Sequence, residues 1–575
     1  MTAPGAPHRP TDYPESTLTG WTDARLVGLV ATTLFVLGAW PLLLVPLPPF
    51  QDLPNHVATA HIIAHPDLYP QYVFNGFFKS NALLMLWLHL SGCHGLFGAA
   101  RAFTALVLAA NALALPLFLL HFAGRRGLLV GSLFGWPLVH GFFVSMGFLN
   151  FAFAFALALV LLTVLDEQRQ RPTVARGVGI AALSGVLWYA HPFPLAIVGL
   201  LVALHAATRA SWRDRVTTGF ALLTPLAPAA LLSLLAAQHH LVKTEGASTL
   251  ASGGFAYLNP AEIVLHFWTD VSGALTRWGS LTIVPAILLP WFAWRGRVSL
   301  PVVSTNGREA RPVVSTNGRE ARPVVSTNGR GARPFFSAAG LGLLAAMYLA
   351  LPVMISNWWY FNCRLVPFLW AGLALRLPAT LRRPIAVTLA ACALASSVVM
   401  GIDYVRLDRD RARFTAGMDA VPERATLLPL LFQQSQTSDF IASLTHAWGY
   451  YTVLKDTSAP LVFAIERSYP ITYREFPPAA LIPPALDQFA ERNATPEQTC
   501  KALHLATNAA ACAAAWHERW ESFWRQATPR FSHVLTWAMP EEARRMIPPA
   551  YHRTFAGAAN DLEIYARDPT ASPRP

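Results

Sequence analysis

The sequence predicts an α-helical polytopic membrane protein carrying a C-terminal exported domain of mixed α/β type. Three observations lead there. The chain has 575 residues, of which 54% are hydrophobic and only 13% charged, against roughly 25% charged in soluble domains. Apolar runs of about 18–20 residues recur, each long enough to cross a hydrocarbon core of ~30 Å. The last stretch, from residue 402 on, loses that character and regains an ordinary density of charge. Mean hydropathy is +0.37, and the 18 Trp and 34 Phe suit a membrane–water boundary.

Residues 1–25 are polar and contain Pro. They lack a basic stretch directly before a short apolar core, so they read as a cytoplasmic tail and not as a signal peptide. The runs that follow lie near 26–46, 102–122, 127–146, 148–165, 177–191, 193–208, 217–236, 279–294, 335–354, 364–377 and 384–401. Counting each as one crossing gives eleven, with the N-terminus inside and the C-terminus outside. Arg125–Arg126, "DEQRQRPTVAR" (166–176), "RASWRDR" (209–215), the 295–333 segment and Arg382–Arg383 then all fall on one side, which the positive-inside rule makes cytoplasmic. The same pattern accounts for the net charge of +12. No basic stripe with interleaved aromatics is present, and no nucleic-acid partner is expected. "ALLMLWLHLSGCHGLFG" (82–98) is apolar but breaks this order if counted as a span.

The domain plan is therefore a tail (1–25), a transmembrane domain (26–401) with outer loops at 47–81 and 237–278, and an exported soluble domain (402–575). Residues 301–333 are a tandem repeat, PVVSTNGREAR twice and then PVVSTNGRGAR. Repeats that stack need 20 or more residues and an apolar face, so this is expected to be a cytoplasmic insert without a catalytic role. In the exported domain "APLVFAIE" (459–466) and "FSHVLTWAM" (531–539) read as strands, and the Ala-rich 498–516 as helix. Cys500 and Cys512 both lie there. An oxidising compartment favours a disulfide between them; two free thiols on one helix is the alternative.

Candidate chemistry collects in "PFQDLPNHVATAHIIAHPD" (50–68), just past the first apolar run. Asn55 or Asp52 can cap a helix with Pro54 in its first turn. That helix is expected to be amphipathic and to lie in the outer interface, with Asp52 and His56 on one face and His61 and His65 on another. A carboxylate placed where a span ends is costly, and so a functional candidate by default. The three His suit an interfacial helix among lipid headgroups equally well. Other outward polar groups are Lys79 and Asn81 in the first outer loop, and His239, His240, Lys243, Glu245, Glu262, His266 and Asp270 in the second. Arg364 in "SNWWYFNCRLVPF" (356–368) opens a late run, and a guanidinium there suits a phosphate or a lipid headgroup. Walker, Rossmann, zinc-protease and Gly-x-Ser-x-Gly motifs are all missing.

"QDLPNH" (51–56), "MGFLNFAFAFALALVLL" (146–162), "FNCRLVPFLWAGLAL" (361–375) and "HAWGYYTVLKDTSAPLVFA" (446–464) together resemble the GT-C superfamily of integral-membrane glycosyltransferases, in a bacterial, mannosyltransferase-like branch. The resemblance implies about 11–13 transmembrane helices in a bacterial inner membrane. It also implies a polyprenyl-phosphate-linked sugar donor and an envelope acceptor at the outer face. Asp52 would then be the acidic residue of the first outer loop, as general base or metal ligand, and Arg364 the phosphate contact. Lys79, His56 and Asn55 would line the substrate site, and Asp52 with His56 would hold a divalent metal ion if one is used. The family often pairs its acidic residue as Asp-Glu or Asp-x-Asp, whereas Leu53 and Pro54 follow Asp52 here. A non-catalytic transporter or assembly protein for envelope polymers is the other function class. Transporters, however, place charged groups in mid-span and show internal repeats, whereas these polar residues sit at outer ends.

Overall fold

The computed structural model describes residues 22–92, 95–241, 255–264, 267, 281–298, 334–355, 358–433, 441–464, 469–505 and 508–568. The 301–333 repeat and residues 1–21 lie outside them, as do Lys243, Glu245, His266 and Asp270, and the side chains of His239 and His240.

Helices dominate. The first, α1 (Asp23–Ala39), starts on Thr22, whose hydroxyl accepts from the Arg25 N–H. After it come α2 (Leu53–Ala64), α3 (Leu83–Ser91) and α4 (Leu96–Gly135). With nine residues α3 is about 14 Å long, shorter than a crossing of the hydrocarbon core needs. The long α4 breaks at Gly124, whose φ of 70° and ψ of −176° leave the helical region. A Cβ on Gly131 would meet Leu119 at 2.8 Å, and one on Gly135 would meet Leu115 at 2.7 Å. Asn111 Nδ2 reaches the Val139 carbonyl at 3.5 Å. These pairs fold the chain back on itself, so α4 and the turns after it form two antiparallel limbs. They match the two runs expected at 102–122 and 127–146, with Arg125–Arg126 at the tip.

Next come α5 (Phe142–Ser145), α6 (Leu149–Gln170), α7 (Val174–Ala190), α8 (Pro192–Ala207), α9 (Trp212–Leu223), α10 (Ala227–Leu241), α11 (Ile283–Val298), α12 (Ala338–Ala350), α13 (Val366–Ala374) and α14 (Arg383–Phe414). Among the described residues five helical stretches are long and apolar enough to cross a membrane, and four shorter apolar helices accompany them. The expected 364–377 span is only the nine-residue α13 with a 3-10 lead-in. It nonetheless retraces α12. Asn362 Nδ2 donates to the Tyr348 carbonyl at one end, and Arg376 Nη2 donates to the Phe336 carbonyl at the other. Being buried along its length, it need not match lipid thickness.

The Arg-bearing turns meet at one end of the bundle. Arg125 pairs with Asp23, His121 and Arg169 with Asp166, and Arg176 with Glu167. A cavity of about 560 Å³ opens there, lined by Asp23, His121, Arg125 and Glu167 among others.

At the opposite end α14 continues past Trp40, which packs on Gly401 and donates to Ser397 Oγ at 2.8 Å, and leads into the C-terminal part. There β5 (Leu427–Leu431), β7 (His533–Trp537), β8 (Tyr551–Ala556) and β9 (Leu562–Arg567) form a sheet of order β5-β7-β9-β8, parallel only between β5 and β7. Helices α15 (Gly449–Lys455), α16 (Pro483–Arg492), α17 (Pro496–Leu503), α18 (Ala509–Ala527) and α19 (Glu541–Arg544) complete it. Cys500 of α17 is bonded to Cys512 of α18, with Cα atoms 5.2 Å apart. The expected strand at 531–539 is β7. Over its described residues, 459–464 is not a strand. Its Leu461 carbonyl and Phe463 N–H are satisfied by the Asn55 side chain instead of a ladder.

The loop expected to be the first outer one belongs to this C-terminal core. Ala58, Ile62 and Ile63 of α2 and Tyr69 and Tyr72 after it pack with Trp448, Val462 and Leu486. The loop's β1 (Tyr72–Phe74) pairs antiparallel with β6 (Ile471–Tyr473). The expected interfacial amphipathic helix is thus corrected. Residues Leu53 to Ile63 are buried at every position but His56, because α2 is covered by the membrane helices on one side and by α15 on the other. Elsewhere β2 (Phe255–Ala256), β3 (Met354–Ile355) and β4 (Trp358–Trp359) make a small antiparallel sheet.

Candidate functional site

Asp52 occupies the N-cap position of α2 but makes no side-chain capping bond. Its N–H donates to the Met146 carbonyl at 3.0 Å. The next residue, Gly147, has φ +87°, and a Cβ there would lie 3.1 Å from the Asp52 backbone nitrogen. Only glycine meets both the backbone conformation and the close approach. The "MGF" turn therefore fixes the start of α2, and the carboxylate is left to face something else.

It faces His446. The Nε2 of His446 lies 3.4 Å from Asp52 Oδ1, and its Nδ1 lies 3.4 Å from Asn55 Nδ2. One tautomer satisfies both contacts: Nε2–H donates to the carboxylate and Nδ1 accepts from the amide. Asn55 is held in turn. Its Nδ2 donates to the Leu461 carbonyl at 3.0 Å, and its Oδ1 accepts from Thr59 Oγ1 and the Phe463 N–H, each at 3.4 Å. Asn55 is thus a buried clamp that sets the His446 ring.

His56, one turn along, packs edge-on to Phe463 with centroids 5.9 Å apart, and His446 does the same at 4.9 Å. Although His56 keeps part of its surface, burial pushes its imidazole down to about 4, against the pull of Asp52, with His446 adding to the fall. It is neutral near pH 7.

Asp487 of α16 is within electrostatic reach of both Asp52 and His446. Burial pushes its carboxyl up to about 6, and Asp52 adds to this while His446 opposes it. The unfolded chain ionises first as pH rises through 3.8, so the stabilising bias toward the protonated folded form is lost between there and about pH 6. Asp487→Asn should therefore melt higher than the native chain at pH 7.5, with the gap closing as pH falls from about 6 towards 4. A gap that stays constant down to pH 4 would reject the assignment.

Arg364 approaches from the other side. Its guanidinium lies 5.6 Å above the Phe148 ring and 5.8 Å above Phe151. Phe148 directly follows the Gly147 that abuts Asp52. His191 and Tyr469 are within electrostatic reach of Arg364, and the Tyr469 ring lies 5.6 Å from that of Phe463, tilted by 54°. Tyr469 thus links the cation to Phe463, whose ring meets that of His446. Lys79 is half-buried in the turn before Asn81, whose carbonyl and Oδ1 accept from Asn150 Nδ2 at 2.7 and 3.0 Å; this sets it at the same end of α6.

Of the sequence candidates, Asp52, Asn55 and His56 come together, and Arg364 is linked to them only through the Met146–Phe148 turn and Tyr469. His61 does not join them. Its Nε2 pairs with Asp456 at 2.8 Å and its ring stacks with His65 at 4.3 Å, a packing role. His446 and Asp487 were not among the candidates. His446 stands in the "HAWGYY" stretch, yet nothing in spacing links it to Asp52. Among the described residues no group of three or more His, Cys, Asp or Glu side chains is set to hold a metal ion, so Asp52 and His56 lack a third ligand. No protein-family model matches the chain, and neither does any curated protein.

Proposed function

We propose that the chain is a membrane glycosyltransferase of the GT-C kind, moving a sugar from a polyprenyl-phosphate donor to an envelope acceptor. The observation that carries this reading is that Asp52 and Arg364, far apart in sequence, are both set against the Met146–Phe148 turn, at the bundle end opposite the Arg-bearing turns. By the positive-inside rule those turns are cytoplasmic. The site then faces outward from a bacterial inner membrane, with the N-terminus inside and the C-terminal part exported.

The chemistry needs a base, a cation and a dry wall. Asp52 takes the proton from the acceptor hydroxyl. That oxygen bonds to the sugar's anomeric carbon as the carbon–phosphate-oxygen bond breaks. The electron pair leaves with the phosphate, whose growing charge Arg364 stabilises. His446 orients the Asp52 carboxylate through Nε2–H, and Asn55 holds His446. Phe148, Phe151 and Phe463 exclude water. The prenyl chain lies along the apolar helices that end beside Arg364. No metal is required in this scheme.

The test is transfer of labelled sugar from a panel of polyprenyl-phosphate donors in membranes that contain the chain. Arg364→Ala should raise the donor KM at least ~10-fold, as loss of a charge-assisted contact does. His446→Ala should chiefly lower kcat. Absence of transfer with every donor, with the protein folded, would leave the transporter reading instead.

A further inference from the structure

The C-terminal part holds a second cavity, of about 350 Å³, between α16 and α18. Its lining includes Gln488 and Arg492 from α16 and Arg519, Ser522 and Gln526 from α18, over the Phe489 and Phe523 rings. Two cations line it and no carboxylate does. Among the described residues Arg492 has no ion pair. Arg519 is aimed by its Nε, which donates to Asn493 Oδ1 at 2.9 Å, so its two terminal nitrogens are left for a ligand.

The walls are built before any ligand arrives. Asn493 Oδ1 also accepts from Thr499 Oγ1, and its carbonyl accepts from the indoles of Trp516 and Trp520 at 2.8 and 2.9 Å. The Cys500–Cys512 bond ties α17 to α18 behind them. Phe489 and Phe523, which both line the cavity, stack on each other at 4.1 Å with 15° between planes, fixing α16 against α18. Two guanidinium forks suit a carboxylate or a phosphate, and the Gln488, Gln526 and Ser522 groups suit ring hydroxyls. The volume is at the small end of ligand pockets, ~300–1,000 Å³. It admits a sugar ring with an acidic substituent and no folded segment.

We propose that this cavity is a binding site for an anionic saccharide unit, one bearing a carboxylate or a phosphate. Helix α16 relates it to the carboxylate cluster. Gln488 and Arg492, four residues apart, share the cavity face, whereas Asp487 projects from the far side toward Asp52 and His446. A bound saccharide would therefore sit about one helix diameter, ~10 Å, from that cluster, near enough for a polymer anchored in the cavity to present its neighbouring unit there. The binding claim itself does not depend on the transferase reading.

The purified full chain in detergent would be titrated with glucuronate, glucose 6-phosphate, glucose and inorganic phosphate, followed by saturation-transfer NMR and calorimetry. The two anionic sugars should bind at least ~10-fold more tightly than glucose and than inorganic phosphate. Arg492→Ala, at an exposed position, should weaken them at least ~10-fold without moving the melting temperature, and Gln488→Ala should weaken them less. Arg364→Ala should bind both as the native chain does, which separates this cavity from the proposed donor site. Equal affinity for glucose would overturn the anionic part of the proposal, and equal affinity for bare phosphate the saccharide part. Binding unchanged in Arg492→Ala would remove the site.

Discussion

Asp52→Asn is expected to lower sugar transfer by at least ~10²-fold, the usual scale for losing acid–base help, while expression and melting temperature stay near native. The substitution keeps shape and removes charge. The anchors of this residue are in the backbone, through its N–H to the Met146 carbonyl and its carbonyl to the His56 N–H, and these survive. No capping bond is lost, because the side chain makes none. The amide oxygen can still accept from His446 Nε2–H, so the His446–Asn55 arrangement persists. Only the proton acceptor is gone, and the loss should appear in kcat and not in donor KM. Arg364→Ala should do the reverse, which gives the two ends of the site distinct signatures. Undiminished turnover in Asp52→Asn would end the catalytic reading and leave Asp52 as the fixed start of a buried helix.

Much of the helical frame was legible because its signal is local. Apolar runs and Arg pairs located the two limbs of α4, and Gly124 beside Arg125–Arg126 marks the reversal. Asp52, Asn55 and His56 were legible because they share a short helix at the end of a span. The surroundings of that helix were not. Its apolar residues, Leu53, Val57, Ala58, Ile62 and Ile63, run all round the axis, a sign of burial on every side. Reading the His residues as a polar face hid this, since His61 spends its polarity on Asp456 and Asn55 on the distant loop at Leu461 and Phe463. His446 and Asp487 belong to the site only through tertiary packing. The misread strand at 459–464 has the same origin, for the groups a ladder would have bound are taken by the Asn55 amide.

That packing has a tight point at Gly449, and the second large effect is expected there. At Gly449, where α15 crosses α2, an added Cβ would lie 2.4 Å from the Pro54 carbonyl oxygen and 2.8 Å from its carbon. Both are backbone atoms of a helix held by Met146 and Asn55, so neither can move aside as a side-chain tip would. Overpacking of this kind costs ~1–3 kcal/mol or more, and Gly449→Val adds two methyl groups beyond the Cβ. The helices should part, and the damage should reach chemistry directly. The Gly449 N–H donates to the His446 carbonyl at 3.0 Å, so pushing Gly449 away from Pro54 draws His446 away from Asp52. Gly449→Val should therefore lower the melting temperature and lose transfer at least as fully as His446→Ala. Gly449→Ala should show the same faults less severely. Gly179→Val serves as control, since a Cβ there meets nothing within 4 Å, and Val is no worse a helix former than the Gly it replaces, so melting and transfer should stay near native. Native melting and native transfer in Gly449→Val would mean that α2 and α15 are not in contact. The Asp52–His446 pair, which depends on that contact, would then have to be given up as well.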